Sequence, residues 1–270
     1  MVLDLLVEEP TRPLFIGDTH MDSEWWVDHI FPLAKRNQAD LLFQLGDFGV
    51  WPGLKGVKYL DLLENKLSEL DLPLLFIDGN HEDFDQLEKL IPNPNGLSPI
   101  RPHILHVPRG TRWKWYGKRF LALGGGVSID RADRIEFVSW WPQEQISYMQ
   151  AMKVIDSGEC DVLLSHDVPE EVRFDNLYPL PDVTGHRKLL QSVVDATKPE
   201  LVLHGHMHYP YRARIKNRLY IGHNCNGRSG NLTLLDTVAL KNGTPWENAL
   251  IPVDSGPKKV RDLDREEVGL

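Results

Sequence analysis

Five short stretches of this 270-residue chain set glycines and apolar runs beside side chains that bind metals or move protons. They read Gly17-Asp18-Thr19-His20, Gly46-Asp47-Phe48-Gly49, Gly79-Asn80-His81-Glu82, Ser165-His166-Asp167 and His204-Gly205-His206-Met207-His208. Together they offer two carboxylates (Asp18, Asp47), one amide oxygen (Asn80) and four imidazoles (His20, His166, His206, His208), with His81 to spare. Seven mixed nitrogen and oxygen donors are too many for one tetrahedral zinc. They suit two ions that share one carboxylate. Carboxylates beside imidazoles favour manganese, taken first, or iron, zinc, nickel or cobalt over an all-oxygen calcium or magnesium cage. Two divalent ions carry four positive charges, and two carboxylates cancel only half, so the remainder would attract an anionic phosphoryl group. Ions held about 3.5–4 Å apart can ionise a water between them and clamp phosphoryl oxygens during in-line displacement. The chemistry that follows is hydrolysis of a phosphate ester.

Each stretch follows an apolar run that reads as a buried strand: 13–16, 41–45, 74–77, 162–164 and 201–203, with 120–123 a sixth of the same kind. Ligand sites in open α/β sheets form at the carboxyl ends of strands, so five such ends imply one convergent site. In an extended segment residues two apart share a face, which predicts that Asp18 meets His20 and His206 meets His208. Glycines 17, 46, 79 and 205 permit sharp turns and close backbone approach. Helical spacing recurs between the runs: about 23–37, with a kink at Pro32; Leu60, Leu63, Leu67 and Leu70; and 187–196, with Leu189, Leu190, Val193 and Val194 on one stripe. Residues 112–125 and 213–236 hold short strands separated by turns and read as antiparallel hairpins. The fold class is therefore α/β with mixed rather than purely parallel sheets. No linker divides the chain, so one domain is expected over residues 1–253, with a charged tail at 254–270. The irregular connections 92–103 and 167–185 are long enough for binding loops.

The ordered set D-x-H, G-D, G-N-H-[DE], an isolated His and G-H-x-H spans residues 17 to 208 and resembles the calcineurin-like metallophosphoesterase superfamily. The resemblance implies a four-layer sandwich of two mixed β-sheets flanked by α-helices. It implies Asp18, His20 and His208 on one metal, Asn80, His166 and His206 on the other, and Asp47 bridging. His81 would orient the phosphate or protonate the leaving group. One departure stands out. The protein-phosphatase branch reads G-D-x-x-D-R-G at the second motif, where the later Asp steadies the histidine of G-N-H and the Arg grips phosphate. Here the line is Gly46-Asp47-Phe48-Gly49-Val50-Trp51, without either. A phosphodiesterase, with cyclic nucleotides (the 2′,3′-cyclic kind included) among its candidate substrates, is therefore preferred to a phosphomonoesterase or phosphoprotein phosphatase. A non-catalytic scaffold of the same fold is the third reading, disfavoured because no ligand position is lost. Gly124-Gly125-Gly126, Arg131, Arg134 and Trp140-Trp141 resemble a bacterial and phage-type branch, with Arg131 and Arg134 as candidate phosphate contacts.

Composition sets outer limits. Thirty basic against 39 acidic residues leave a net charge of -9, which argues against bulk nucleic-acid binding. No run approaches the length of a membrane span, and the first residues, MVLDLLVEEP, lack a basic leader. A cytoplasmic enzyme acting on a small phosphate ester is expected. Two cysteines, Cys160 and Cys225, suggest inert thiols. His29, His103, His106, His186 and His223 lack ligand spacing, and His204 reads as a strand end more than a third aligned ligand. Trp25, Trp26, Trp51, Trp140 and Trp141 could rim the site for a stacked nucleobase or fill space between helix and sheet.

Overall fold

Successive residues of a strand point to opposite faces, and in these runs both faces are apolar, so each strand must be covered twice. The computed structural model describes residues 9–174 and 185–253 and meets that demand with two stacked sheets, each backed by helices. The strands are β1 (Pro13–Ile16), β2 (Leu41–Gln44), β3 (Leu74–Phe76), β4 (Ser98–Pro99), β5 (Ile104–His106), β6 (Arg112–Trp115), β7 (Lys118–Leu123), β8 (Val162–Ser165), β9 (Leu201–His204), β10 (Tyr211–Ile215), β11 (Arg218–Gly222), β12 (Leu232–Leu235) and β13 (Leu250–Val253). The first sheet runs β13-β12-β1-β2-β3-β5-β4 and the second β10-β11-β9-β8-β7-β6. The central strands of each are parallel and the outer ones antiparallel. This is the mixed α/β sandwich expected from the motifs.

The alternation is visible residue by residue. Phe15, Phe43, Leu75, Phe120, Leu164 and Leu203 lie in the core between the sheets. Their neighbours Leu14, Leu42 and Phe76 face the helices over the first sheet, and Leu121, Leu163 and Val202 face those over the second. Helix Gly53–Leu70 buries Tyr59, Leu60, Leu63 and Leu67 against the first sheet. Helices Tyr148–Asp156 and His186–Thr197 cover the second. The former is fixed by a capping box between Ser147 and Gln150.

Two expectations are corrected. Residues 213–236 do not form a hairpin stack. β10 and β11 pair antiparallel, but β12 crosses to the other sheet and pairs with β1 at Leu14↔Leu234. There Leu232 and Leu234 share the helix-side core with Leu14 and Ile16. The segment near 23–37 changes helix type just before Pro32. It is helical over Ser23–Trp25, widens into a π-turn over Trp26–Ile30 and resumes over Phe31–Arg36, so that Pro32, which has no N–H to give the ladder, lies directly after the widened turn. Leu70 leaves the apolar stripe, 37% exposed, because Asp71 ends the helix in a left-handed conformation (φ 49°). The tail at 254–270 and most of the 167–185 connection lie outside the described residues. Among the described residues no helix is long and apolar enough to cross a membrane.

Leu63 and Leu70 sit on one stripe in the sequence but in different surroundings. Leu63→Ala should destabilise by about 2–5 kcal/mol and Leu70→Ala by no more than about 0.5 kcal/mol, read from urea unfolding midpoints.

Candidate metal centre

The donor residues follow the carboxyl ends of central strands in both sheets, β1, β2 and β3 in the first and β8 and β9 in the second. Two donor groups form: Asp18, His20 and His208, and Asp47, His166 and His206, each with ligand atoms within 4.8 Å of one another. Asp47 stands between them, with Oδ2 3.3 Å from His20 Nε2 and Oδ1 3.5 Å from His166 Nε2. Asn80 joins the second group, its Oδ1 3.0 Å from His166 Nε2. His208 Nε2 lies 2.9 Å from Asp18 Oδ2. All seven residues singled out from the sequence are thus brought together.

Strand alternation is not what converges them. β1 stops at Ile16 and β9 at His204, so Asp18 and His20, and His206 and His208, lie beyond the strands, and the latter two go to different donor groups. His20 (φ 44°), Asp47 (φ 55°), His206 (φ 64°) and His208 (φ 49°) all have left-handed backbone. That conformation is uncommon outside glycine, and such strain gathers at functional sites. The segments hold one another in it. Thr19 and His20 N–H groups donate to Asp47 O at 3.1 and 2.8 Å. The His81 N–H donates to Asp47 Oδ1 at 2.8 Å, and the His206 N–H to Asp18 Oδ1 at 3.0 Å. Glycine is required where these strands touch. A Cβ on Gly79 would stand 2.1 Å from Asp47 Oδ1, and one on Gly126 3.1 Å from the His166 ring, the close approach expected of the triple glycine.

The ring nitrogens are oriented from behind. His166 Nδ1 donates to Leu45 O at 2.8 Å, leaving Nε2 for the site. Asn226 donates to Asp22 at 2.9 Å, which turns its Oδ1 toward His20 Nδ1 at 3.0 Å. Asp167 Oδ1 lies 3.9 Å from His206 Nε2 and accepts from the Val168 N–H, while Oδ2 faces His186 Nδ1 at 2.9 Å. Sequence reasoning missed Asn226 and Asp167, because a supporting amide or acid has no spacing of its own. Glu82, whose place the sequence left open, is fully buried. It accepts from three successive N–H groups, Phe48 at 2.6, Gly49 at 3.2 and Val50 at 2.8 Å, and so fixes the turn after Asp47.

Asp18 and Asp47 are buried, and their ion-pair partners among the described residues are imidazoles, not Lys or Arg. Burial alone would raise both carboxyls. Instead His81, His166 and His20 hold Asp47 well below the usual carboxylate range, and His166 and His208 hold Asp18 below it. Burial likewise opposes charge on the imidazoles, yet Asp47 and Asp18 lift His20 to about 9 and His166 to about 10, and Asp18 together with a hydrogen bond to Cys225 lifts His208 to about 10. A buried pocket that binds protons this avidly, with nitrogen and carboxylate donors already gathered, suits divalent cations that displace those protons.

Val50 and Trp51 stand where the phosphatase motif would place Asp and Arg, and the structure supplies other support for His81. Trp51 Nε1 donates to His81 O at 2.8 Å. Arg134, arriving from the segment after the triple glycine, lays its Nη2 against the His81 ring, 2.8 Å from Nε2, and pairs with Asp130 at 2.8 Å. Burial, then the neighbouring charges of Arg134 and His20 against the pull of Asp47, hold the His81 imidazole down at about 4. Arg131 instead stacks its guanidinium over Trp140, 4.0 Å from the ring centre. Trp25, Trp26, Trp140 and Trp141 are buried and fill space rather than rim the site. His204 is buried at the end of β9, bonded to Tyr211 Oη at 2.6 Å. The other histidines pair away from the donors: His29 with Trp25, His103 with Glu64, His106 with Asp78, His186 with Asp167, and His223 with Thr233. Both cysteines are free and buried, and burial pushes the Cys160 thiol up to about 11.

In metal-free protein, histidine NMR should show His81 neutral at pH 7 and protonating only as pH falls toward about 4. Arg134→Ala should move that midpoint upward, toward the unperturbed value of about 6.5. An unmoved midpoint would mean that Arg134 does not act on the ring.

No curated protein matches the sequence. Among solved structures, GAP50, the anchor in the inner membrane complex of Plasmodium, superposes with a TM-score of 0.51 at 11% identity, over 85% of this chain and 82% of that one. The phosphopantetheinyl hydrolase of Mycobacterium tuberculosis gives a TM-score of 0.42 at 12% identity, over 93% of this chain and 99% of its own. At such identities the likeness is one of fold. The family description "Calcineurin-like phosphoesterase" matches residues 11–210, a span that contains both donor groups, Asn80 and His81. With that match over most of its length, the chain belongs to the calcineurin-like phosphoesterase family.

Proposed function

We propose that this protein is a dinuclear metal-dependent phosphodiesterase. The observation that carries the reading is the placement of Asp47 between two donor groups, one carboxylate oxygen toward each. Asp18, His20 and His208 would hold one cation, Asn80, His166 and His206 the other, and Asp47 both. The cations supply Lewis-acid stabilisation of phosphoryl charge and activation of the attacking water. Manganese is the first choice for a donor set that mixes carboxylates, an amide and imidazoles.

The chain's own residues do the rest. Arg134 is the guanidinium placed to grip a phosphoryl oxygen, because it already lies against His81, while Arg131 is committed to the face of Trp140. His81 is neutral at pH 7 in the ligand-free site. An entering phosphoryl anion adds negative charge beside it and draws Arg134 away from the ring. Both changes favour the imidazolium, which then passes a ring N–H proton to the departing alkoxide. Preference for diesters follows from the second motif. A monoester dianion asks for more cationic contacts than a diester monoanion, and Val50 and Trp51 supply none.

Protein loaded with Mn²⁺ should bind about two ions per chain and cleave bis(p-nitrophenyl) phosphate with a higher kcat/KM than p-nitrophenyl phosphate. The reverse ranking would favour the phosphomonoesterase reading. His81→Ala should lower turnover of a diester with an alkoxide leaving group, such as a 2′,3′-cyclic nucleotide, by about 10²–10⁴ while metal content holds, whereas Asp47→Asn should lower both. Protein that binds no transition metal and cleaves neither ester would leave only the scaffold reading.

A further inference from the structure

Residues 134–140 form a small closed lobe that the catalytic reading leaves unexplained. The Phe137 N–H donates to Trp140 O at 2.8 Å, and the Val138, Ser139 and Trp140 N–H groups all donate to Ile135 O within 3.1 Å. The Ile135 N–H donates to Ser139 Oγ at 3.0 Å. The lobe stands on the buried Trp140 ring, under Arg131. Yet its own side chains face solvent: Ile135 is 65%, Phe137 56% and Val138 55% exposed. Phe137 is also held at φ 60°, where an aromatic residue is strained. Three apolar side chains close together in sequence are thus held in water on a hydrogen-bonded turn with one strained residue.

The Arg134 guanidinium donates to Ser139 O within the lobe at 3.2 Å and at the same time lies against the His81 ring. The lobe is therefore one guanidinium away from the reacting centre. A phosphoryl oxygen held by Arg134 would put an ester substituent of the same phosphorus against the apolar side chains. A lipid surface fits less well. Asp130, Asp133 and Glu136 outnumber Arg131 and Arg134 here, so the segment has no excess positive charge to meet anionic headgroups.

We infer that Ile135, Phe137 and Val138 bind the organic group that stays on phosphorus, which makes a diester with a bulky apolar or aromatic second substituent the preferred substrate class. This deepens the phosphodiesterase reading and rests on it. The test compares two diesters with one leaving group, bis(p-nitrophenyl) phosphate and methyl p-nitrophenyl phosphate. Phe137→Gly, which relieves the positive φ, and the double variant Ile135→Ser with Val138→Ser should each lower kcat/KM on the bis-aryl ester about tenfold. On the methyl ester they should leave it within about twofold, with metal content and circular dichroism unchanged. A ratio that does not move, or two substrates that fall together, overturns the inference while the phosphodiesterase reading stands. An unmoved ratio with lost binding to phosphatidylcholine vesicles would assign the lobe to membranes instead. If the wild-type protein cleaves neither diester, the broader reading fails and this one with it.

Discussion

Two carboxylates buried without a fixed cation are the constraint on which the rest of this structure depends. Transferring an isolated carboxylate into a protein interior is costly unless it is paired, and Asp18 and Asp47 have only imidazoles for ion-pair partners among the described residues. The arrangement is stable in one of two ways: the histidines take up protons, or cations replace them. Their lifted imidazole affinities express the first, and the chemistry of the family implies the second. Two buried carboxylates that stay ionised only beside positive charge make a site suited to cations. That explains how a protein with a net charge of -9 can present an electropositive centre once loaded.

Holding such a centre open requires a rigid frame, and the frame is made of loops. Four of the donor residues have left-handed backbone, a conformation their own preferences oppose. They stay there because each loop is tied to another: Asp47 to Thr19, His20 and His81, Asp18 to His206, and the turn after Asp47 to Glu82. Beneath them lie three apolar cores built by strict alternation along the strands. The strain is local, and the packing that over-determines it is global.

The second motif shows how support can be rebuilt from other parts of a chain. Without the Asp and Arg of the phosphatase pattern, His81 is held through its carbonyl by Trp51 and approached at its ring by Arg134. Arg134 belongs to a segment more than fifty residues further on, anchored by Ser128, Glu144 and the paired tryptophans. The same guanidinium reaches Ser139 O in the 134–140 turn, so it links that turn to the His81 ring.

The amino-acid sequence by itself determined the α/β class, the central strands and the seven donor residues, because these depend on local patterns: apolar runs, helical stripes, and ligand types in a fixed order. It also carried the departure at Val50 and Trp51. It took the packed fold to settle which sheet β12 joins, that Leu70 is partly exposed, that His20, His206 and His208 reach the site through left-handed turns rather than along strands, and that Asn226, Asp167 and Glu82 stand behind the donors. These depend on contacts between residues far apart in the chain. A hydrogen bond from His20 Nδ1 to the Asn226 amide oxygen, 206 positions away, has no periodicity to betray it, since what brings the two together is the packing of whole sheets.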